Sequence, residues 1–198
     1  MSSSGQLNTV TLREVTPSNA AVYLPQVVQM VRDLAEFERE PLSSVKATVP
    51  LLFESFFGSK MPQEGQDGNG QAEQAQDRSA IGGGYAKCVL AFENDQSQDA
   101  VGMAVYFFTF STWTGRGGLY LEDLFVKEKY RGQGISKHLF RYLAQECERR
   151  ELPRLDWQVL AWNEKAKSVY FKLGAELREE WQSMRLETDA IHKLATSA

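Results

Sequence analysis

The run LYLEDLFV at residues 119–126 is apolar almost throughout, broken only by Glu122 and Asp123. A segment of that kind suits a central strand buried on both faces. It leads into the polar turn KEKYRGQGIS (127–136), with glycines at 132 and 134. From about Ile135 to Arg150 the apolar residues Ile135, Leu139, Phe140, Leu143 and Cys147 then recur as one helical stripe. Glycines let a backbone approach a ligand closely, and a helix N-terminus adds partial positive charge. A strand, a glycine turn and a helix in that order make a concavity suited to a pyrophosphate. On spacing alone, a Gly-x-Gly turn is more often only a turn. The third glycine of a dinucleotide fingerprint is missing, and so is the Gly-Lys-Ser/Thr of a Walker loop.

The flanking segments extend the pattern. TVTLREV (9–15) alternates as a first strand. A helix follows with Leu24, Val27, Val28, Val31, Leu34 and Ala35 on one face, and 43–58 reads as a shorter helix broken or restarted near Pro50. YAKCVLAFEN (85–94) and AVGMAVYFFTFST (100–112) are strands joined by a hairpin turn, and WTGRGG connects the second to the apolar run. After the Ile135 helix, PRLDWQVLAW (153–162) alternates as a strand. Asn163 then caps a helix carrying Ala166, Val169, Tyr170 and Leu173, and Gly174 ends it. Short strands are expected at 175–177 and 181–186. Hairpins followed by strand–helix–strand–helix–strand predict a mixed α/β sheet.

Residues 1–8 are expected to form a flexible N-terminus and 9–198 a single domain, interrupted by a Gly- and Gln-rich surface loop at 59–84. The 198 residues suffice for one self-sufficient core. No apolar run reaches membrane-spanning length, and the first residues lack the basic and apolar regions of a signal peptide, so a cytoplasmic location is expected. Two cysteines within apolar patterns imply no disulfide framework. Two histidines without spaced partners imply no metal site or catalytic triad. A net charge of −4 disfavours a nucleic-acid surface and is compatible with a cationic substrate, or simply with solubility.

The stretches LYLEDLFVKEKYRGQGIS and AWNEKAKSVYFKLGA, in that order and separation, resemble the acetyl-CoA-dependent N-acetyltransferases of the GNAT superfamily. YLEDLFV and LAEFE are similar to its spermidine/spermine acetyltransferase branch, including the thialysine-acetylating relatives. The resemblance implies a mixed, mostly antiparallel central sheet with flanking helices and a splayed strand pair that binds acetyl-CoA. It implies that the backbone of Leu124, Phe125 and Val126 pairs with the pantetheine arm. Amides from Arg131, Gly132, Gln133, Gly134, Ile135, Ser136 and Lys137 would cradle the pyrophosphate, and Asn163, Lys165 and Ala166 would line the far wall. Ser136 stands where the family usually has Gly or Ala. Tyr170 matches the family's general acid, although periodicity alone makes it a core aromatic. A homodimer with the acceptor channel near the interface is likewise implied.

Glu122 is the candidate base, because a carboxylate in a buried strand has its pKa raised toward a useful range. The alternative is a bulge or sheet edge facing solvent. Asp123 falls on the opposite face if the strand is regular. The resemblance places Phe37 and Glu38 at the amine-binding mouth, whereas LAEFERE alone reads as a solvated acidic face. Trp113 is a candidate wall of the same channel, able to contact a cation through its ring, and Asp156, Trp157 and Gln158 match a substrate-lining segment. The implied activity is direct transfer of acetyl from acetyl-CoA to a polyamine. Two alternatives are thialysine or lysine-like acceptors, and a non-catalytic acetyl-CoA-binding regulator.

Overall fold

The computed structural model describes residues 9–62 and 84–197; the expected loop therefore lies, over 63–83, outside the described residues. The chain divides into two compact units, one ending at Gln158 and one beginning at Val159.

The first unit is built on a five-stranded sheet of β1 (Thr11–Glu14), β2 (Lys87–Phe92), β3 (Gly102–Ser111), β4 (Arg116–Val126) and β5 (Leu155–Trp157), in that spatial order. The first four strands are antiparallel and β5 runs parallel to β4, which is the mixed, mostly antiparallel arrangement expected. Alternation along the strands sorts the side chains onto two faces. One face carries Cys88, Leu90, Phe92, Met103, Val105 and Phe125. It packs with Leu24, Val27 and Met30 of α1 (Ala20–Glu38) and with Phe53 and Phe56 of α2 (Val49–Phe57). The other face meets α3 (Ile135–Arg149), where Tyr106 packs on Tyr142 and Trp157 on Phe140.

Pro50 does not break a helix begun at residue 43. It opens α2, whose N-cap is Thr48, and the residues before it form only a 3-10 turn, Leu42–Ser44. A proline is tolerated in the first turn because the amide it lacks has no helical acceptor there.

The predicted run 119–126 is the second half of β4, and it is not regular. Val105 pairs with Asp123 while Tyr106 pairs with Leu121, so Glu122 is the extra residue of a β-bulge. The bulge resets the alternation. Tyr120 and Asp123, three apart, share the α1 face, whereas Leu121 and Leu124 share the α3 face. Pairing of β4 with β5 covers only Leu119–Leu121 and stops at the bulge. Beyond it, among the described residues, β4 has a strand partner on the β3 side alone.

The second unit holds α4 (Glu164–Lys172) and α5 (Thr188–Thr196). The strands expected at 175–177 and 181–186 are not formed among the described residues, and 153–162 yields a strand only at Leu155–Trp157. Alternation supplies a face to bury but does not supply a partner, and among the described residues no strand pairs with 175–177 or 181–186.

Candidate active site

The turn after β4 has the geometry its glycines predict. Gly132 and Gly134 adopt φ of +78° and +86°, and a Cβ on either would meet nothing within 4 Å. Left-handed backbone at two alternate positions aims successive amides toward one open concavity. Gly134 is also the N-cap of α3, and no acidic residue occupies the first turn. Ile135, Ser136 and Lys137 therefore present amides that have no helical acceptor of their own. Open space, unpartnered amides and the helix N-terminus together fit a pyrophosphate group.

The free edge of β4 adjoins this turn. Lys127 donates its amide to the carbonyl of Val101, the residue just before β3, so the backbone groups of Leu124 and Val126 point to the opposite side. An extended ligand can pair there as an added strand. Arg131 closes one end of that edge: its Nε donates to the Val126 carbonyl at 2.9 Å. The same guanidinium lies 4.7 Å from the ring centroid of Phe37 and 5.6 Å from that of Phe125. This stacking brings the last turn of α1, with Phe37 and Glu38, over the second half of β4.

Carboxylates converge beneath that turn. Burial pushes the Asp123 carboxyl up to about 6, with the negative charges of Glu122 and Glu38 adding to the shift. Burial also raises Glu38, with Glu40 second. Glu122, by contrast, is exposed at the bulge. The expectation that burial acts on Glu122 is thus corrected: the bulge turns Glu122 outward and leaves Asp123 as the withdrawn carboxylate. Along the same face, burial raises the Tyr120 phenol, aided by Glu122 and Asp156.

Other expected residues lie apart. Trp113 sits in the β3–β4 turn, 89% exposed, and roughly 20 Å along the strand from Asp123. Within this unit it is not brought to the acids. Trp157 turns to the α3 face and packs on Phe140, with ring centroids 5.0 Å apart, so its side chain is not on the acidic face. Asp156 is on that face, opposite Tyr120 in register. Gln158 is exposed at the end of the unit.

In the second unit, Asn163 caps α4, accepting from the Ala166 amide at 3.1 Å, while Lys165 is exposed in the first turn. Burial raises the Tyr170 phenol. Two residues of the acidic face escaped the sequence reading, Tyr120 and Arg154. Tyr120 was recoverable, since once a bulge is allowed it falls on the face of Asp123. Arg154 carried no signal beyond its charge.

A profile described as the acetyltransferase (GNAT) family matches residues 50–175. The thialysine N-epsilon-acetyltransferase of Sus scrofa is 33% identical over 177 residues, covering 85% of this chain and 89% of the relative. The spermidine/spermine N(1)-acetyltransferase-like protein 1 of Homo sapiens is 31% identical over 115 residues, covering 54% of this chain and 16% of that protein. Among solved structures, an integron cassette protein of V. cholerae superposes with a TM-score of 0.66 at 23% identity, covering 95% of this chain and 98% of its own, a likeness of fold.

Proposed function

This chain belongs to the GNAT acetyltransferase family, and on that premise we propose that it acetylates a primary amine of a small cationic acceptor with acetyl-CoA as co-substrate, the first acceptor class being a polyamine (a diamine, spermidine or spermine). The observation that carries the reading is the Asp123 carboxyl, held at about 6 next to Glu122 and Glu38. A cationic acceptor complements this group of acids, and a base poised near neutrality is what amine acetylation needs.

Acetyl-CoA, when bound, supplies an acyl carbon activated as a thioester. The chain's own residues do the rest. The outward edge of Leu124, Phe125 and Val126 holds the pantetheine arm as an added strand. The amides of residues 131–137 hold the pyrophosphate, and Asn163, Lys165 and Ala166 line the far wall. Phe37 and Glu38 receive the ammonium, which arrives protonated and cannot attack until the proton leaves. Asp123, the carboxylate withdrawn from water, takes that proton, and Glu122 beside it supports the deprotonation. The phenol oxygen of Tyr170 carries the proton that the departing sulfur needs; burial raises its pKa above the ordinary phenol value. A cytoplasmic homodimer, with the acceptor channel near its interface, completes the reading by analogy with the branch.

A second acceptor class, thialysine or lysine-like amino acids, is favoured by one observation. Arg154 places a cation on the acidic face, and a carboxylate-bearing acceptor has use for it.

The test is thiol release from acetyl-CoA against spermidine, spermine, putrescine, thialysine, lysine and a histone-tail peptide. Polyamine preference supports the first class and thialysine or lysine preference the second; silence on every amine overturns amine acetylation. Tyr170→Phe should lower kcat by about 10²–10⁴-fold with acetyl-CoA affinity retained. Unchanged turnover removes Tyr170 from the mechanism.

A further inference from the structure

The acidic face continues past the catalytic carboxylates, and its far end carries a charged pair to which the mechanism gives no role. Arg154 Nε lies 3.0 Å from Asp156 Oδ2, with the two side chains 42% and 47% exposed. Arg154 does not project freely into water. Its side chain lies across Gly118, where a Cβ would meet Nε at 2.9 Å and Cγ at 3.0 Å. A glycine in the interior of β4 is what makes room for it. Asp156 stands opposite Tyr120 in the parallel register, and the Tyr120 ring packs on Phe107 with centroids 5.0 Å apart. The order along this face of β4 is therefore Asp123, the Glu122 bulge, Tyr120 beside Asp156, then Gly118 beneath Arg154.

A half-exposed ion pair is by itself worth little to stability, so its position is the informative part. The Tyr120–Asp156 row lies about 7 Å along the strand from Glu122. An extended lysine side chain separates its α-nitrogen from its terminal nitrogen by roughly the same distance, from ordinary bond lengths. Among the described residues the acidic partner of Arg154 is Asp156, whose Oδ2 lies nearest Nε. The rest of its planar fork suits a carboxylate. A polyamine running along this face would meet Asp156 already neutralised and Arg154 repelling it. The head group of an amino acid carries both charges, a carboxylate for the guanidinium and an ammonium for Asp156.

We propose that Arg154 and Asp156 form the far end of the acceptor site and bind the carboxylate and ammonium of an α-amino acid whose side chain ends in the amine to be acetylated. This rests on the reading above that Glu122 and Asp123 receive that amine, and it selects the second of the two acceptor classes.

The experiment compares acceptors that differ only in the carboxylate, lysine with 1,5-diaminopentane and ornithine with 1,4-diaminobutane, using the full chain. The wild type should show the higher kcat/KM on the amino acid of each pair. Arg154→Gln should lower kcat/KM for the amino acids about ten- to hundredfold, the span of a hydrogen bond to a charged group, and leave the diamines unchanged or improved. Arg154→Lys should recover part of the loss, since it returns the charge without the fork. Folding is not at stake, because the bond from the Leu119 amide uses the Arg154 carbonyl, which every variant keeps. A wild type that does not prefer the amino acids, or an Arg154→Gln variant that loses both acceptors equally, overturns the subsite while acetyl transfer stands. Failure of the wild type on every amine, with acetyl-CoA still bound, overturns the underlying reading, and the subsite with it.

Discussion

Two carboxylates of the sheet unit are withdrawn from water on opposite faces of the sheet, and they are treated in opposite ways. Glu146 on α3 is 5% exposed. Burial alone would raise its pKa, but hydrogen bonds from Arg149 and Arg150, three and four residues along the helix, hold it below the usual carboxylate range. Asp123 has no such partner among the described residues; its charged neighbours are Glu122 and Glu38, and it is pushed up to about 6. A carboxylate kept for structure brings its counter-ions in its own sequence, at helical spacing. A carboxylate left among other acids costs stability at neutral pH and awaits a cation from outside. That difference separates the acceptor face from the rest of the core.

Asp123→Asn probes the difference most strongly. Removing the base should cut kcat/KM by about 10²–10⁴-fold, and the acid limb of the wild-type pH profile, rising through about pH 6, should disappear with it. Stability should move the other way. The folded pKa of Asp123 lies above the ordinary carboxylate value, so its contribution is fully present below about pH 4 and is lost as pH rises through about 6. Above that, ionisation costs about 2–3 kcal/mol. Denaturant titrations at pH 4 and pH 8 should therefore show the variant gaining on the wild type only at the higher pH. A variant that is less stable at pH 8 would mean that Asp123 is held by a favourable contact, and the contrast with Glu146 would fail. Glu146→Gln should behave in the opposite sense, leaving kcat/KM unchanged and losing about 1–2 kcal/mol, a modest figure because both arginines return to water. Lost activity without lost stability there would place Glu146 in the mechanism.

Much of this face was legible in the residues, and the part that was not has a definite cause. The strand, the glycine turn and the α3 stripe are local patterns, and each formed where the spacing put it. The bulge was also written in the chain: Leu119, Leu121, Leu124 and Val126 share the α3 face, and a three-residue step between Leu121 and Leu124 is impossible in a regular strand. Treating the strand as regular assigned the burial to Glu122 and moved Asp123 away from it. Arg154 was out of reach because its position depends on β5 pairing in parallel with β4, a contact between segments more than thirty residues apart in sequence. The failure at 181–186 is of the same kind. An alternating hexapeptide states which side chains go together and does not state what it pairs with.

The smallest expected effect concerns Cys88, which shares a row across the sheet with Val105 and Asp123. Burial pushes its thiol up strongly, and the charge of Asp123 adds a second, lesser push. The thiolate is the reactive form, so Cys88 should resist iodoacetamide at pH 8 in the folded protein and react once the chain is unfolded. Because burial is the larger cause, Asp123→Asn should leave Cys88 protected, with any change in its alkylation rate under about tenfold. Rapid alkylation of the native wild type would show that water reaches this row. Burial could then no longer account for the raised Asp123, and its proton affinity would have to come from Glu122 and Glu38 alone, which added salt would weaken. Slow alkylation that is insensitive to salt keeps desolvation as the cause and makes Asp123 a base that the fold has set before any amine arrives.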